Sequence, residues 1–149
     1  MQKIIPNLWF TENAGEAVEF YISVFKDSKI IGTTYYPEDG LADFQKSFAG
    51  KVLTIEFELQ GQRFVAINAG DEFTFTEAVS FAVMCKDQQE IDYYWSKLSA
   101  QPSAEQCGWC KDKYGLSWQI VPENVEELMK KPGAFEVMMK QKKIIIAEY

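Results

Sequence analysis

Cys107 and Cys110 have the C-x-x-C spacing found in thiol redox centres and metal sites. The surrounding segment, 106–111, predicts a strand, in which side chains three positions apart point to opposite faces of the sheet. The two sulfur atoms would therefore diverge and could neither form a disulfide nor share a metal ion. A thioredoxin-type pair lies instead at a helix N-terminus, where the helix dipole lowers the thiol pKa. With Cys85 as the only other cysteine, we predict three ordinary free thiols.

The chain of 149 residues contains no histidine. Histidine is the commonest metal ligand and the usual general base near neutral pH, so mechanisms that pair serine or cysteine with histidine are excluded. A structural zinc site made of cysteine and histidine also fails, because three cysteines cannot supply four ligands.

The overall charge and hydropathy exclude two further classes of function. Fifteen basic and 22 acidic residues give a net charge of −7, whereas nucleic-acid binding requires a basic face. No segment approaches the roughly 18 consecutive apolar residues of a membrane span, and the first residues do not form a signal peptide. We therefore expect a cytoplasmic protein that binds neither nucleic acid nor membrane.

The hydrophobic pattern changes period along the chain and predicts an α+β fold. Residues 51–60 alternate apolar and polar side chains as in a half-buried strand, and Gly61 turns the chain into a second strand. Helical spacing begins after Asn13 and again after Asp87, each followed three positions later by a glutamate, which is typical of a helix N-terminus. The predicted strands are 3–10, 28–37, 51–60, 62–70, 78–86, 106–111 and 116–123, and the predicted helices are 11–27, 87–100 and, in the tail, 124–131 and 134–143.

The two halves of the chain repeat the same order of elements. When the chain is shifted by 74 positions, Asn13 falls on Asp87, Glu16 falls on Glu90, and the aromatic pair at 20–21 falls on residues 94–95. A strand precedes the helix and further strands follow it in both halves. This co-linear order indicates two related modules.

Four stretches of the chain together cover most of it: LWFTENAGEAVEFYISVF, ELQGQRFVAINAG, AVSFAVMCKDQQEIDYYWSKLSA and QCGWCKDKYGLSWQIVP. They resemble the PhnB-like group of the vicinal oxygen chelate superfamily, which has the glyoxalase and bleomycin-resistance fold. The group is often labelled 3-demethylubiquinone-9 3-methyltransferase-like. The resemblance implies one glyoxalase-like domain over 1–149, built from two βαβββ modules (3–70 and a shortened 77–122) and a helical tail (124–149). It also implies a cleft between the modules, and a homodimer.

The resemblance also implies a divalent metal ion in the cleft, but the corresponding positions carry neutral side chains: Asn7 (or Pro6), Asn68, Ser80 and Gln119. Neutral amides and hydroxyls are weak ligands for zinc, nickel or iron. We therefore predict no metal and no cofactor. We expect instead a hydrogen-bonding site for a small molecule, formed by those four residues and by Tyr35 at the mouth of the cleft.

Two enzymatic interpretations stay open, and no catalytic residue is predicted. The first is a glyoxalase- or dioxygenase-type enzyme that uses a weakly held metal ion. The second is the methyltransferase that gives the group its label. A methyl-donor site of the dinucleotide-binding type needs a glycine-rich turn after its first strand, and the glycines of this chain form no G-x-G pattern.

We expect structural roles for the residues near Gln119. Trp109 and Trp118 should face each other across a tight hairpin, with Trp118 in the core if Gln119 points into the cleft. Lys111 and Asp112 are expected in a solvated turn between the two strands.

The remaining expectations concern surfaces. Glu56 and Glu58 alternate against an apolar face and should lie in solvent or at an interface. The apolar end of the tail, 144–149, should dock on a partner subunit or across the sheet, because a monomer would leave it exposed.

Overall fold

The computed structural model describes residues 2–149, which form two compact units with the boundary between Thr74 and Phe75. Each unit contains a β-sheet and an α-helix packed on one face of that sheet. The predicted α+β class is confirmed. Within the described range, no helix is both long enough and apolar enough to span a membrane.

The first unit contains a four-stranded sheet with the strand order β1-β4-β3-β2. Strand β1 pairs in parallel with β4, and the other pairs are antiparallel. A 3₁₀ turn occupies the long connection between β2 and β3. The elements are β1 (Asn7–Phe10), α1 (Ala14–Val24), β2 (Ser28–Tyr35), β3 (Val52–Leu59) and β4 (Gln62–Asn68).

The core of the first unit lies between α1 and one face of the sheet. Alternate residues of β3, Ile55, Phe57 and Leu59, are buried, as the period-2 pattern predicts. Tyr21 of α1 stacks on Phe57, with ring centroids 6.4 Å apart. Burial of these aromatic and aliphatic groups is the main force that holds the helix on the sheet.

The hairpin between β3 and β4 confirms the turn predicted at Gly61. Leu59 pairs with Gln62, so the loop contains only Gln60 and Gly61. Both loop residues have positive φ, 48° and 85°, as a type I′ turn requires. Glycine adopts this conformation without strain.

The second unit contains a three-stranded sheet with the order β5-β7-β6, in which β5 and β7 are parallel and β6 and β7 are antiparallel. Asp87 caps α2, because its Oδ1 accepts a hydrogen bond from Glu90 N at 2.9 Å. Within the described residues this sheet contains no counterpart of β2. The elements are β5 (Ser80–Cys85), α2 (Gln88–Leu98), β6 (Trp109–Lys111), β7 (Ser117–Pro122), α3 (Val125–Met129) and α4 (Ala134–Lys140).

The tail folds back onto its own unit. Ile144 is fully buried. The Gln88 side chain of α2 donates to Ile144 O at 2.9 Å and accepts from Ile146 N at 2.8 Å. The tail therefore gives no support to a partner subunit, and the homodimer stays a prediction.

The segment around the C-x-x-C motif differs from the predicted strand. Strand β6 begins only at Trp109, and Cys107 lies in the preceding turn with φ of 54°. The tail runs against this turn, because Gly108 N donates to Lys142 O at 2.7 Å. A Cβ atom on Gly108 would approach Ile144 Cγ1 to 3.0 Å, so the close approach of the tail requires glycine here.

Candidate functional site

The sheet of the second unit has one face packed with core residues and one face that carries the polar residues. Alternation places Cys110, Trp118, Ile120 and Pro122 on the core side. We call the opposite side the site face. Its residues are Ser80, Ala82 and Met84 of β5, Trp109 and Lys111 of β6, and Ser117, Gln119 and Val121 of β7.

Two predicted site residues meet on the site face. Gln119 Nε2 donates a hydrogen bond to Ser80 Oγ at 2.9 Å, and both side chains are partly exposed. The parallel register of β5 and β7 produces this contact, because it pairs Ser80 with Ser117, two residues before Gln119. Ser80 and Gln119 thus form one polar cluster.

A third polar residue, Ser117, lies in the same cluster and was not singled out from the sequence. Its side chain is 1% exposed, and within residues 2–149 its Oγ has no hydrogen-bond partner. An unsatisfied buried hydroxyl costs on the order of 1–3 kcal/mol. The period of two from Gln119 is the sequence signal that could have identified Ser117 as a residue of the same face.

Lys111 supplies positive charge to the site face, which corrects its expected place in a solvated turn. It pairs with Ser117 in the register of β6 and β7, and its side chain is 19% exposed. It forms an ion pair with Glu77, which precedes β5 and was also not singled out from the sequence. The hydrogen bond and the charge of Lys111 hold the pKa of Glu77 below its ordinary value.

Trp109 also belongs to the site face, and it does not oppose Trp118 as predicted. The register pairs Trp109 with Gln119, and it pairs Trp118 with Cys110 on the other face. Trp118 is buried, in agreement with the structural role expected for it when Gln119 lies on the opposite face. Trp109 is half-buried and provides an aromatic wall next to Gln119.

Asp112 helps to position the site face from the core side of the sheet. It was expected in solvent, and this expectation is wrong. It is fully buried, and its Oδ1 accepts from Tyr114 N at 2.8 Å and from Leu116 N at 3.1 Å. Its Oδ2 accepts from Trp118 Nε1 at 2.9 Å. The carboxylate therefore organises the turn that brings β6 and β7 together, and with it the positions of Ser117 and Gln119.

Asn68 of the first unit has a structural role. Its Oδ1 accepts from Ala14 N at 2.9 Å and its Nδ2 donates to Val52 O at 3.3 Å. Asn13, the predicted cap of α1, makes no side-chain capping bond, so Asn68 satisfies an amide at the helix start in its place.

Asn68 also lies on the wrong face to join Asn7 in one site. Asn68 pairs with Phe10, whereas Asn7 pairs with Val65, and odd and even positions of β1 point to opposite faces. The expectation that Asn7 and Asn68 share one binding surface is therefore corrected by the register of β1 and β4.

Asn7 and Tyr35 make no cluster with other predicted site residues inside the first unit. The exposed Asn7 donates from Nδ2 to Ile5 O at 2.9 Å. Tyr35 ends β2 and is 61% exposed. The neighbouring Tyr36 is buried, and its hydroxyl donates to Asn68 O at 2.6 Å.

The face of the first sheet that carries Asn7 is dominated by ion pairs. We call it the charged face; it carries Asn7 and Trp9 of β1, Thr54, Glu56 and Glu58 of β3, and Arg63, Val65 and Ile67 of β4. Arg63 pairs with Glu56, and Lys29 of β2 lies 4.0 Å from Glu58. Both glutamates are partly buried, which fits the expected solvent-facing side of the strand only in part.

The residues at the four implied metal positions do not fit a divalent metal ion. Both polar atoms of Asn68 are bonded to backbone groups on the helix side of its sheet. Ser80 and Gln119 bond to each other and carry no charge. Among residues 2–149, no three Cys, Asp or Glu side chains are grouped as a metal site. No catalytic step through a metal can be built on this donor set.

The two buried thiols, Cys85 and Cys110, are equally unsuited to chemistry at this site. Burial raises the pKa of Cys85 and of Cys110 to about 12, from an ordinary value of 9.0. Thiolate is the nucleophilic form of cysteine, so both side chains are inert near neutral pH. All three cysteines are free.

The first strand–helix turn does not fit a bound sulfonium methyl donor either. Residues 11–13, between β1 and α1, contain no glycine, and Gly15 lies inside the helix. The amide of Ala14, at the helix start, is already bonded to Asn68. A dinucleotide-type site needs a glycine-rich turn whose free amides face the ligand, and this turn offers neither feature.

Comparison with known proteins agrees with the predicted PhnB-like family. The family model described as 3-demethylubiquinone-9 3-methyltransferase matches residues 2–121. A PhnB protein from Bacillus cereus, described as a candidate 3-demethylubiquinone-9 3-methyltransferase, is 36% identical, with 80% of this chain and 99% of that chain covered and a TM-score of 0.64. Comparison with curated proteins gave no match.

Two more distant solved structures share the fold. Protein PA1353 from Pseudomonas aeruginosa is 15% identical, with 82% of this chain and 98% of that chain covered and a TM-score of 0.60. The fosfomycin resistance protein FosX from Mesorhizobium loti is 11% identical, with 88% and 100% covered and a TM-score of 0.52. The predicted glyoxalase and bleomycin-resistance fold is therefore confirmed.

Proposed function

Because this chain belongs to the 3-demethylubiquinone-9 3-methyltransferase, or PhnB, family and carries an uncharged polar cluster where its superfamily implies a metal, we propose that it binds a small molecule on the site face without a metal ion. The observation that carries this proposal is the cluster of Ser80, Ser117 and Gln119. Its central hydroxyl, on Ser117, has no partner within the described residues. A ligand oxygen or nitrogen at this point would recover the cost of that unsatisfied group.

The site face also has the mixed composition that small-molecule sites use. Trp109, Met84 and Val121 supply apolar area, and the cluster supplies a few oriented donors and acceptors. Apolar walls provide most of the binding free energy, while such polar groups fix the orientation of the ligand. Gln119 can exchange its bond to Ser80 for a bond to the ligand at little net cost.

The proposal is tested by amide-detected NMR titration with benzamide, a neutral planar probe with one donor and one acceptor group. We expect saturable chemical-shift changes at residues of β5 and β7, and a loss of binding of at least fivefold in Gln119→Ala. The matched control is Gln62→Ala, which removes an exposed glutamine of the first unit and should leave binding unchanged. Shift changes confined to residues 2–74 would overturn the proposed location.

Elemental analysis of the purified protein tests the metal-free part of the proposal. We expect less than about one tenth of an equivalent of zinc, nickel, iron or manganese, because neutral amides and hydroxyls bind these ions weakly. A stoichiometric ion that is lost in Gln119→Ala would contradict the proposal and would favour the metal-assisted enzyme instead.

A further inference from the structure

The positive charge on the site face is mostly buried and belongs to a strand, whereas its partner is exposed and lies outside the sheet. Lys111 belongs to strand β6 and is mostly buried, so its ammonium group requires a nearby anion. The carboxylate of Glu77 fills that role, but the Glu77 side chain is 63% exposed and belongs to the irregular segment before β5. The ion pair therefore joins a buried cation to a solvent-exposed anion that another carboxylate can replace.

Two serine hydroxyl groups lie in the same cross-strand row as this cation. The register places Lys111, Ser117 and Ser80 in one row over β6, β7 and β5. Neighbouring strands lie about 4.8 Å apart, so the groups of Lys111 and Ser117 can both reach the two oxygens of one carboxylate. Glu77 pairs with Lys111, and yet Ser117 Oγ has no partner within the described range.

We propose that this row is a subsite for the carboxylate of an amphiphilic monoanion, which takes the place of Glu77 at Lys111 and accepts a hydrogen bond from Ser117. The apolar part of the ligand then extends over Trp109, one row further along the strands, and toward Met84 and Val121, which pair with each other two rows further along. This inference rests on the proposed function and specifies its ligand class.

The charges around the row favour a monoanion over a phosphate dianion. Lys111 is the one cation of the row, and Glu77 stays tethered close to it when displaced. The chain as a whole carries a net charge of −7. A second negative charge on the ligand would therefore meet repulsion with no second cation to offset it.

The tethered Glu77 also determines how high the affinity of a ligand must be to displace it from Lys111. A carboxylate attached to the same chain acts at an effective concentration on the order of millimolar or above. Acetate cannot compete at lower concentrations, whereas an arylalkanoate gains affinity from its apolar contacts. Replacement of Glu77 by glutamine removes the competing charge and should raise affinity for the anion.

Isothermal titration with 3-phenylpropionate and its neutral analogue 3-phenylpropionamide tests the inference, with acetate and inorganic phosphate as further probes. We expect the acid to bind the native chain at least tenfold more tightly than the amide, and acetate and phosphate to bind more weakly still. Glu77→Gln should tighten binding of the acid about tenfold, Lys111→Met should abolish it, and Ser117→Ala should weaken it several-fold. The control Lys86→Met removes an exposed lysine of the same unit and should change nothing.

Each alternative result separates this inference from the proposed function. If the amide binds as well as the acid and its binding depends on Gln119, the proposed function stands and the carboxylate subsite is wrong. Phosphate binding that depends on Lys111 and exceeds that of the acid would also overturn the monoanion. If neither 3-phenylpropionate nor 3-phenylpropionamide shifts any NMR resonance of the site face, both proposals fail. Should Lys111→Met not fold, an unchanged affinity in Glu77→Gln is sufficient to reject the inference.

Discussion

The sheets of the two units differ most on the faces that lie away from their helices. In the first unit, the row that starts at Asn7 continues through Val65 to Glu56. In the second unit, the corresponding row starts at Ser80 and continues through Ser117 to Lys111. The first row ends in a glutamate whose charge is paired with Arg63 of the neighbouring strand. The second row ends in a lysine whose charge is paired with Glu77 outside the sheet, and the hydroxyl at its centre has no partner within the described residues.

Under the proposed function, this difference assigns stability to the first sheet and ligand binding to the second. Charges on the charged face are paired with residues of the same sheet, although Arg63 Nε, like Ser117 Oγ, has no hydrogen-bond partner within residues 2–149. On the site face the cation is compensated by a residue outside the sheet, and Ser117 is not compensated at all within residues 2–149. A surface whose polar groups are incompletely satisfied gains most from a bound molecule.

The largest effect is expected from a change that disrupts the turn between β6 and β7, which positions the site face. Asp112→Ala removes a buried carboxylate and leaves two backbone amides and the Trp118 indole without their acceptor. We expect the free energy of unfolding, measured by urea denaturation, to fall by about 3–5 kcal/mol, because charged hydrogen bonds are strong and buried donors are costly to leave unpaired. The matched control, Asp71→Ala at an exposed position, should change it by less than about 0.5 kcal/mol. A loss below about 1 kcal/mol would show that the carboxylate does not hold this turn.

The next effect compares the two amides that the sequence placed together in one site. Asn68→Ala removes an acceptor for the Ala14 amide and a donor to Val52. We expect it to lower the free energy of unfolding by about 1–2 kcal/mol, in the range of lost helix caps, and to leave binding of benzamide unchanged. Gln119→Ala should do the reverse, with little loss of stability and a clear loss of binding. Equal effects of the two changes on binding would contradict the division of roles between the units.

The sequence predicted the elements of both units but could not separate these roles. Alternation in β3 and the glycine after it identified the hairpin, because both signals are local. The sequence suggests Asn68 as a ligand because it is the only amide near that strand position. The register puts Asn68 on the helix side of its sheet, whereas Ile67 faces away from the helix, as Gln119 does in the second sheet. A shift of one residue changes the face of a side chain, and only the pairing of distant strands decides it.

The same reason explains the residues that sequence reasoning missed. Lys111, the last residue of β6, and Asp112, the first residue after it, are neighbours of similar polarity, yet one is paired with Glu77 and the other is fully buried and bonded to Trp118. Composition predicts solvation for both of them. Their actual environments depend on contacts across 34 and 6 positions, which the pattern of a single segment does not contain.

A smaller change in the free energy of unfolding, a gain rather than a loss, tests the Ser117 hydroxyl of the site face. In the absence of ligand, Ser117→Ala removes an unsatisfied buried group, and we expect the free energy of unfolding to rise by about 1 kcal/mol. Ser80→Ala, which removes the acceptor of Gln119, should instead lower it by about 0.5–1 kcal/mol. Paired urea denaturation curves measure the difference, and destabilisation by both changes would mean that Ser117 already has a partner, such as an ordered water molecule.

The smallest expected effect is the pH dependence of the ion pair that closes the site face. Lys111 lowers the pKa of Glu77 below its ordinary value of 4.5, so the pair stabilises the fold fully above that pH and loses this contribution as the pH falls through the lowered value. In Lys111→Met, the pKa of Glu77, followed by NMR of its side-chain carboxyl carbon, should return upward toward 4.5. In the native chain, saturating 3-phenylpropionate should raise it in the same direction, because the ligand takes the place of Glu77 beside the cation. A Glu77 pKa that moves in the variant but not with the ligand would leave the ion pair intact and place the bound acid elsewhere.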